Sequence, residues 1–171
     1  MKPFTSIAPL TEQLAFYRSY HRTPGCKATH IFGVPLVTFS ILIPLGWLST
    51  EPAGLHISAA MAFVLITLGY YFLLEPFLAT IMTLIMIPMT YAADRVSRLP
   101  FGESVAIFAA TFILGVVLQL AGHAIEGRKP ALMDSFAQAV FSAPLFLLVE
   151  GLGALGWKEP RPKPVPPRVN P

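Results

Sequence analysis

"YYFLLEPFLATIM", residues 70–82, joins two apolar runs through nothing but Glu75 and Pro76. Proline withdraws a helical donor and disfavours helix in the residue before it, so the pair marks either a strong kink in one helix or a tight hairpin between two. That choice decides the fold. A hairpin returns the downstream chain to the face it came from, whereas a kink carries it across.

The runs on either side belong to a series. Ile31–Leu48, Leu55–Leu74, Phe77–Ala93, Ser104–Gly122 and Phe136–Trp157 are apolar, and the first four contain no Asp, Glu, Lys or Arg. A hydrocarbon core of roughly 30 Å takes about 20 helical residues to cross. The runs lack the period-two alternation of barrel strands, and in lipid every backbone polar group must be satisfied internally, which leaves helices. Composition agrees: 54% hydrophobic, 12% charged and a mean hydropathy of +0.64 exclude an ordinary soluble domain. The expectation is an all-α integral membrane bundle with four or five apolar helices. The count turns on the fifth run, where Pro144, Glu150 and the glycines of "EGLGALG" allow either a span or a segment that enters and leaves on one side.

The flanks are simpler. "MKPFTSIAPLTEQLAFYRSYHRT" lacks the unbroken apolar core and cleavage site of a secretory signal, and is expected to persist as an N-terminal interfacial helix. Residues 158–171 hold six prolines and four Lys or Arg, a composition that builds no core. We therefore expect one membrane-embedded domain over residues 1–157 and a proline-rich basic tail. No basic stripe with interleaved aromatics occurs, so nucleic acid is excluded as a partner and the lipid bilayer expected as one. Cys26 is the sole cysteine, which rules out an internal disulfide and reads as a small packed residue.

Lys2, Arg18, Arg22 and Lys27 precede the first apolar run, and the "STEPAG" loop after it has no positive charge, which places the N-terminus in the cytoplasm. With a hairpin at Glu75–Pro76, the fourth run ends on that same side. Arg95 and Arg98 argue for the kink instead.

The hairpin matters because of the histidines. Ionisable groups at membrane depth are costly and point to function. Of four histidines, His21, His30 and His123 share one face under the hairpin count, and His56 stands alone at the other end as an interfacial residue. His21 and His30 would lie about 180° apart on one straight helix. "TPG", residues 23–25, breaks that helix and lets the rings converge. His123 and Glu126, at i and i+3, share a helix face and resemble in reverse the Glu-x-x-His pairs of metal sites in bundles. Each residue also has a plain reading. His21 and His123 suit an interfacial anchor and a helix end, Glu126 an ion pair with Lys129, and Arg128 and Lys129 the positive-inside rule. On spacing alone, a bis-histidine haem or electron-transfer protein and a non-catalytic scaffold or carrier stand beside a metal enzyme.

"YHRTPGCKATHIFGVPL" (20–36) and "GHAIEGRKPALMDSFAQAVFSAPLFLLVE" (122–150) together resemble the 2-hydroxy-fatty-acid dioxygenases, a membrane family known from fungal phytosphingosine breakdown with many bacterial relatives. The H-x8-H pair followed by "GVPL", and the G-H-x-x-E-x-x-x-P-A element, carry the likeness from about Phe16 to Glu150. The chain departs from the family at Thr23 and Cys26, where asparagines are common. The resemblance implies a non-haem Fe(II) enzyme that shortens a 2-hydroxy fatty acid by one carbon with O₂ and without 2-oxoglutarate. It also implies residence in the bacterial inner membrane, or in the endoplasmic reticulum for the fungal relatives. His21, His30 and His123 would be the iron ligands, with Glu126 a fourth ligand or the group orienting an imidazole. Arg128 or Lys129 would hold the substrate carboxylate while the acyl chain lies along the bundle.

Overall fold

The computed structural model describes residues 9–127 and 136–158. Six α-helices carry nearly all of it: α1 (Leu10–Tyr20), α2 (Pro24–Trp47), α3 (Ala59–Leu74), α4 (Pro76–Ser97), α5 (Phe101–Glu126) and α6 (Phe136–Ala154). A two-residue antiparallel pair, β1 (Ser49–Thr50) with β2 (Ile57–Ser58), closes the link from α2 to α3. Of the described helices, α2, α4 and α5 are long and apolar enough to cross a membrane, and α3 and α6 are shorter apolar helices. Large apolar side chains such as Phe32, Leu65, Leu73 and Leu84 stand exposed around the outside. Such a surface suits lipid.

Glu75 and Pro76 form a hairpin. Glu75 is extended, ends α3 by donating its N–H to the Tyr71 carbonyl, and caps α4 by accepting the Leu78 N–H on its carboxylate at 2.7 Å. Pro76 opens α4, where its missing donor costs nothing. The reversal is fixed at the far end, where His56 Nε2, just before α3, lies 3.0 Å from Asp94 Oδ1 near the end of α4. His56 is therefore not alone. It also meets Glu51 at 3.5 Å, and Arg98 donates to the other Asp94 oxygen at 2.6 Å. This cluster ties the β1–β2 link to α4, at the end of the bundle opposite the Glu75 turn. Because Asp94 is buried and holds both His56 and Arg98, Asp94→Ala should cost about 1–3 kcal/mol. A lower unfolding midpoint in detergent, with metal content unchanged, is the expected result.

The longest contact in the fold is α2 against α5. The two run antiparallel, with Gly25 beside Ile125 at one end and Trp47 Nε1 donating to Ser104 Oγ at 2.9 Å at the other. Glycines make the approach possible. A Cβ on Gly115 would meet the Gly33 carbonyl at 3.0 Å, and one on Gly33 would meet Gln119 Cγ at 3.0 Å. Small residues at such a seam let backbones approach closely where lipid supplies no hydrophobic drive.

Two differences from expectation concern the ends. The helix α2 begins at Pro24, seven residues before the apolar run, because Thr23 caps it and Pro24 fits its first position. The N-terminal helix does more than lie at an interface, since Leu14 and Tyr17 are buried in the core against α6. The basic tail beyond Lys158 falls outside the described residues.

Candidate metal centre

Three helix ends meet where the hairpin brings them. His21 follows the last turn of α1, His30 sits in the second turn of α2, and His123 in the last turn of α5. Their rings are in mutual contact, with centroids 4.5 Å apart for His21–His30, 5.1 Å for His21–His123 and 4.9 Å for His30–His123. All three are buried, at 2%, 3% and 6% exposure. Tyr17 stacks on His21 and Phe146 of α6 packs against both. The three sequence-predicted histidines thus form one cluster.

The hydrogen bonds around the rings fix which nitrogen is available. His21 Nδ1 lies 2.9 Å from the Tyr17 carbonyl and His30 Nδ1 lies 2.8 Å from the Cys26 carbonyl. A carbonyl only accepts, so each Nδ1 carries the proton and each Nε2 keeps its lone pair, the arrangement typical of metal-ligating histidine. His123 Nδ1 is the one buried side-chain nitrogen or oxygen among the described residues without a partner. Leaving such an atom unmatched costs about 1–3 kcal/mol, and a bound cation removes that cost. Burial pushes the His21 imidazole below its ordinary value, outweighing the Tyr17 carbonyl and the Glu126 charge. The ring is neutral at pH 7, the form that binds metal. Donor type, tautomer and burial all fit a metal ion.

Glu126 lies beside the cluster and grips the turn that carries His21. Its Oε1 accepts the Arg22 N–H at 3.0 Å, and its Oε2 accepts the Thr23 N–H at 2.8 Å and the Thr23 hydroxyl at 2.7 Å. Thr23 Oγ1 in turn accepts the Cys26 N–H. One carboxylate at the end of α5 therefore caps the start of α2, where the helix dipole favours negative charge. Gly127, in the left-handed region at φ 68°, ends α5 just beyond it. Arg128 and Lys129 lie outside the described residues.

Two further features border the histidines and the first turn of α2. Gly122 packs on the site itself, and a Cβ there would collide with the Thr29 hydroxyl and come within 3.0 Å of the His30 ring. The second is a groove of about 530 Å³ between α1, the start of α2 and α6, bordered by Lys27, Ile31, Leu147 and Gly153. Glu150 binds Arg18 Nε at 3.1 Å and Lys27 Nζ at 2.5 Å along it. Pro24, at the start of α2 three residues after His21, also borders the groove.

The family model for 2-hydroxy-palmitic acid dioxygenase Mpo1-like proteins matches residues 7–155. The 2-hydroxy-palmitic acid dioxygenase MPO1 of Saccharomyces cerevisiae is 31% identical over 154 residues, which cover 88% of this chain and 84% of that protein. No solved structure matches the chain.

Proposed function

The chain belongs to the Mpo1-like family, and on that premise we propose that it is a membrane dioxygenase that shortens a 2-hydroxy fatty acid by one carbon, using Fe(II) and O₂ and no 2-oxoglutarate. The observation that carries the proposal is the buried contact of His21, His30 and His123, two of them with Nδ1 committed to backbone carbonyls. These three are the ligands in this reading. His21, His30 and His123 would hold the iron, which would supply redox chemistry toward O₂ and Lewis-acid polarisation of a bound 2-hydroxy acid.

The chain's own residues do the rest. The Tyr17 and Cys26 carbonyls orient two imidazoles, and Tyr17 with Phe146 covers the His21 ring from water. Glu126 acts here as a positioning residue, holding the turn on which His21 sits. Arg128 and Lys129 follow α5 directly in sequence and are proposed to hold the substrate carboxylate. The acyl chain is proposed to lie in the groove along α2 and α6, reached directly from the surrounding lipid. Gly153 borders that groove, and a Cβ on it meets nothing within 4 Å. Gly153→Leu should accordingly occupy groove space, and raise KM for long-chain substrate several-fold while metal content stays the same.

A bis-histidine haem fits the geometry poorly. Its two imidazoles stand on opposite sides of a macrocycle. Here the ring centroids stand only 4.5–5.1 Å apart in all three pairs, closer than two imidazoles on opposite sides of a macrocycle can be.

Stripping and reloading tests the proposal. Chelator-treated protein should lose turnover of a 2-hydroxy fatty acid and regain it on addition of Fe(II) under argon followed by air. Turnover that survives removal of all metal would sink it.

A further inference from the structure

The cluster contains a fourth donor with no role in the three-histidine reading. Cys26 is wholly buried on the first turn of α2, with Sγ 3.7 Å from His30 Nδ1. Its sulfur, one ring nitrogen of His21 and one of His123 all lie within 4.8 Å of one another. Around one tetrahedral ion, with metal–nitrogen bonds of about 2.0–2.1 Å and a metal–sulfur bond of about 2.3 Å, such donors stand roughly 3.3–3.6 Å apart. Small side-chain rotations therefore close the set. The second observation is His123 itself, 6% exposed, with the buried and partnerless Nδ1. That nitrogen belongs to the residue whose ring shares this donor group with the Cys26 sulfur, and a metal ion held there would match it.

We propose that Cys26 is a metal ligand, so that this chain binds its metal ion through a mixed set of one sulfur with His21, His123 and His30. The inference rests on the metal-site reading above and adds a donor to it. On binding, the thiol S–H is broken, the proton leaves to solvent, and a sulfur–metal bond forms without any change of oxidation state. A thiolate is a softer donor than imidazole or carboxylate, and shifts metal preference accordingly.

Cobalt(II) reports this directly, because a thiolate ligand adds a charge-transfer band in the near ultraviolet to the visible ligand-field bands that any cobalt site shows. The full chain in detergent, loaded with Co(II), should show both features. Cys26→Ser and Cys26→Ala should lose the ultraviolet band and keep the visible ones, since three histidines remain. Visible bands without the ultraviolet band in the unaltered protein, or an ultraviolet band that survives in Cys26→Ser, would overturn the proposal and leave the histidine site standing. Failure of the unaltered protein to take up cobalt or iron at all would overturn both. The spectrum of the unaltered protein decides the matter even if a variant does not fold.

Discussion

His21→Ala, His30→Ala and His123→Ala should each abolish tight metal binding and turnover of a 2-hydroxy fatty acid. The three rings sit in one buried contact, so each removal leaves a hole at the centre of the cluster rather than at its rim. Loss of an outer partner of a metal ligand typically costs about 10–100-fold in affinity or activity, and loss of a ligand exceeds that. His56→Ala serves as the comparison, because His56 lies at the opposite end of the bundle on Asp94. It should leave metal content intact. Metal analysis of the purified variants, with helical content checked by circular dichroism, reads the result. Retention of stoichiometric metal by folded forms of all three site variants would remove the ligand assignment.

The second large effect comes from a residue with no side chain. Gly122→Val should abolish activity, and Gly122→Ala should reduce it by about 10²-fold, the scale on which a misplacement of about 1 Å is felt at a reacting centre. A Cβ at this position presses on the Thr29 hydroxyl and the His30 ring, so α2 and α5 must part where the site is assembled. Overpacking of this kind also costs about 1–3 kcal/mol in stability. Gly69→Ala, where a Cβ meets nothing within 4 Å, should be close to silent. Steady-state rates and metal titration on the three variants separate a displaced ligand from a general loss of fold.

These residues also show what the sequence made legible. The helices could be read because uncharged apolar runs of membrane length have few other solutions. Glu75 and Pro76 marked the break but left hairpin and kink open in sequence, and the Glu75 carboxylate capping Leu78 with Pro76 at the first helical position decides for the hairpin. The convergence of His21 and His30 followed from the break at residues 23–25, and that of His123 from the hairpin. What stayed hidden was pairing across the bundle. Gly33, Gly115 and Gly122 are indistinguishable from other small residues in an apolar run until the facing helix is known. Asp94 sits just beyond the third run, and its partnership with His56 spans 38 residues. Cys26 read as packing because nothing near it in sequence says that His21 and His123 face its sulfur. Glu126 had three readings in sequence, metal ligand, support for an imidazole, or ion pair with Lys129, and only the structure gives its bonds to Arg22 and Thr23. The early start of α2 was masked by Lys27, Thr29 and His30, polar residues that delay the apolar run without preventing the helix.

The most direct measurement is the chain length of the product. Iron-loaded protein is incubated with a 2-hydroxy fatty acid in air and under argon, and the acids are resolved by mass spectrometry. The account predicts a fatty acid one carbon shorter in air, none under argon, and none from the His123→Ala variant in air. Substrate recovered unchanged in air from protein carrying stoichiometric iron would contradict it.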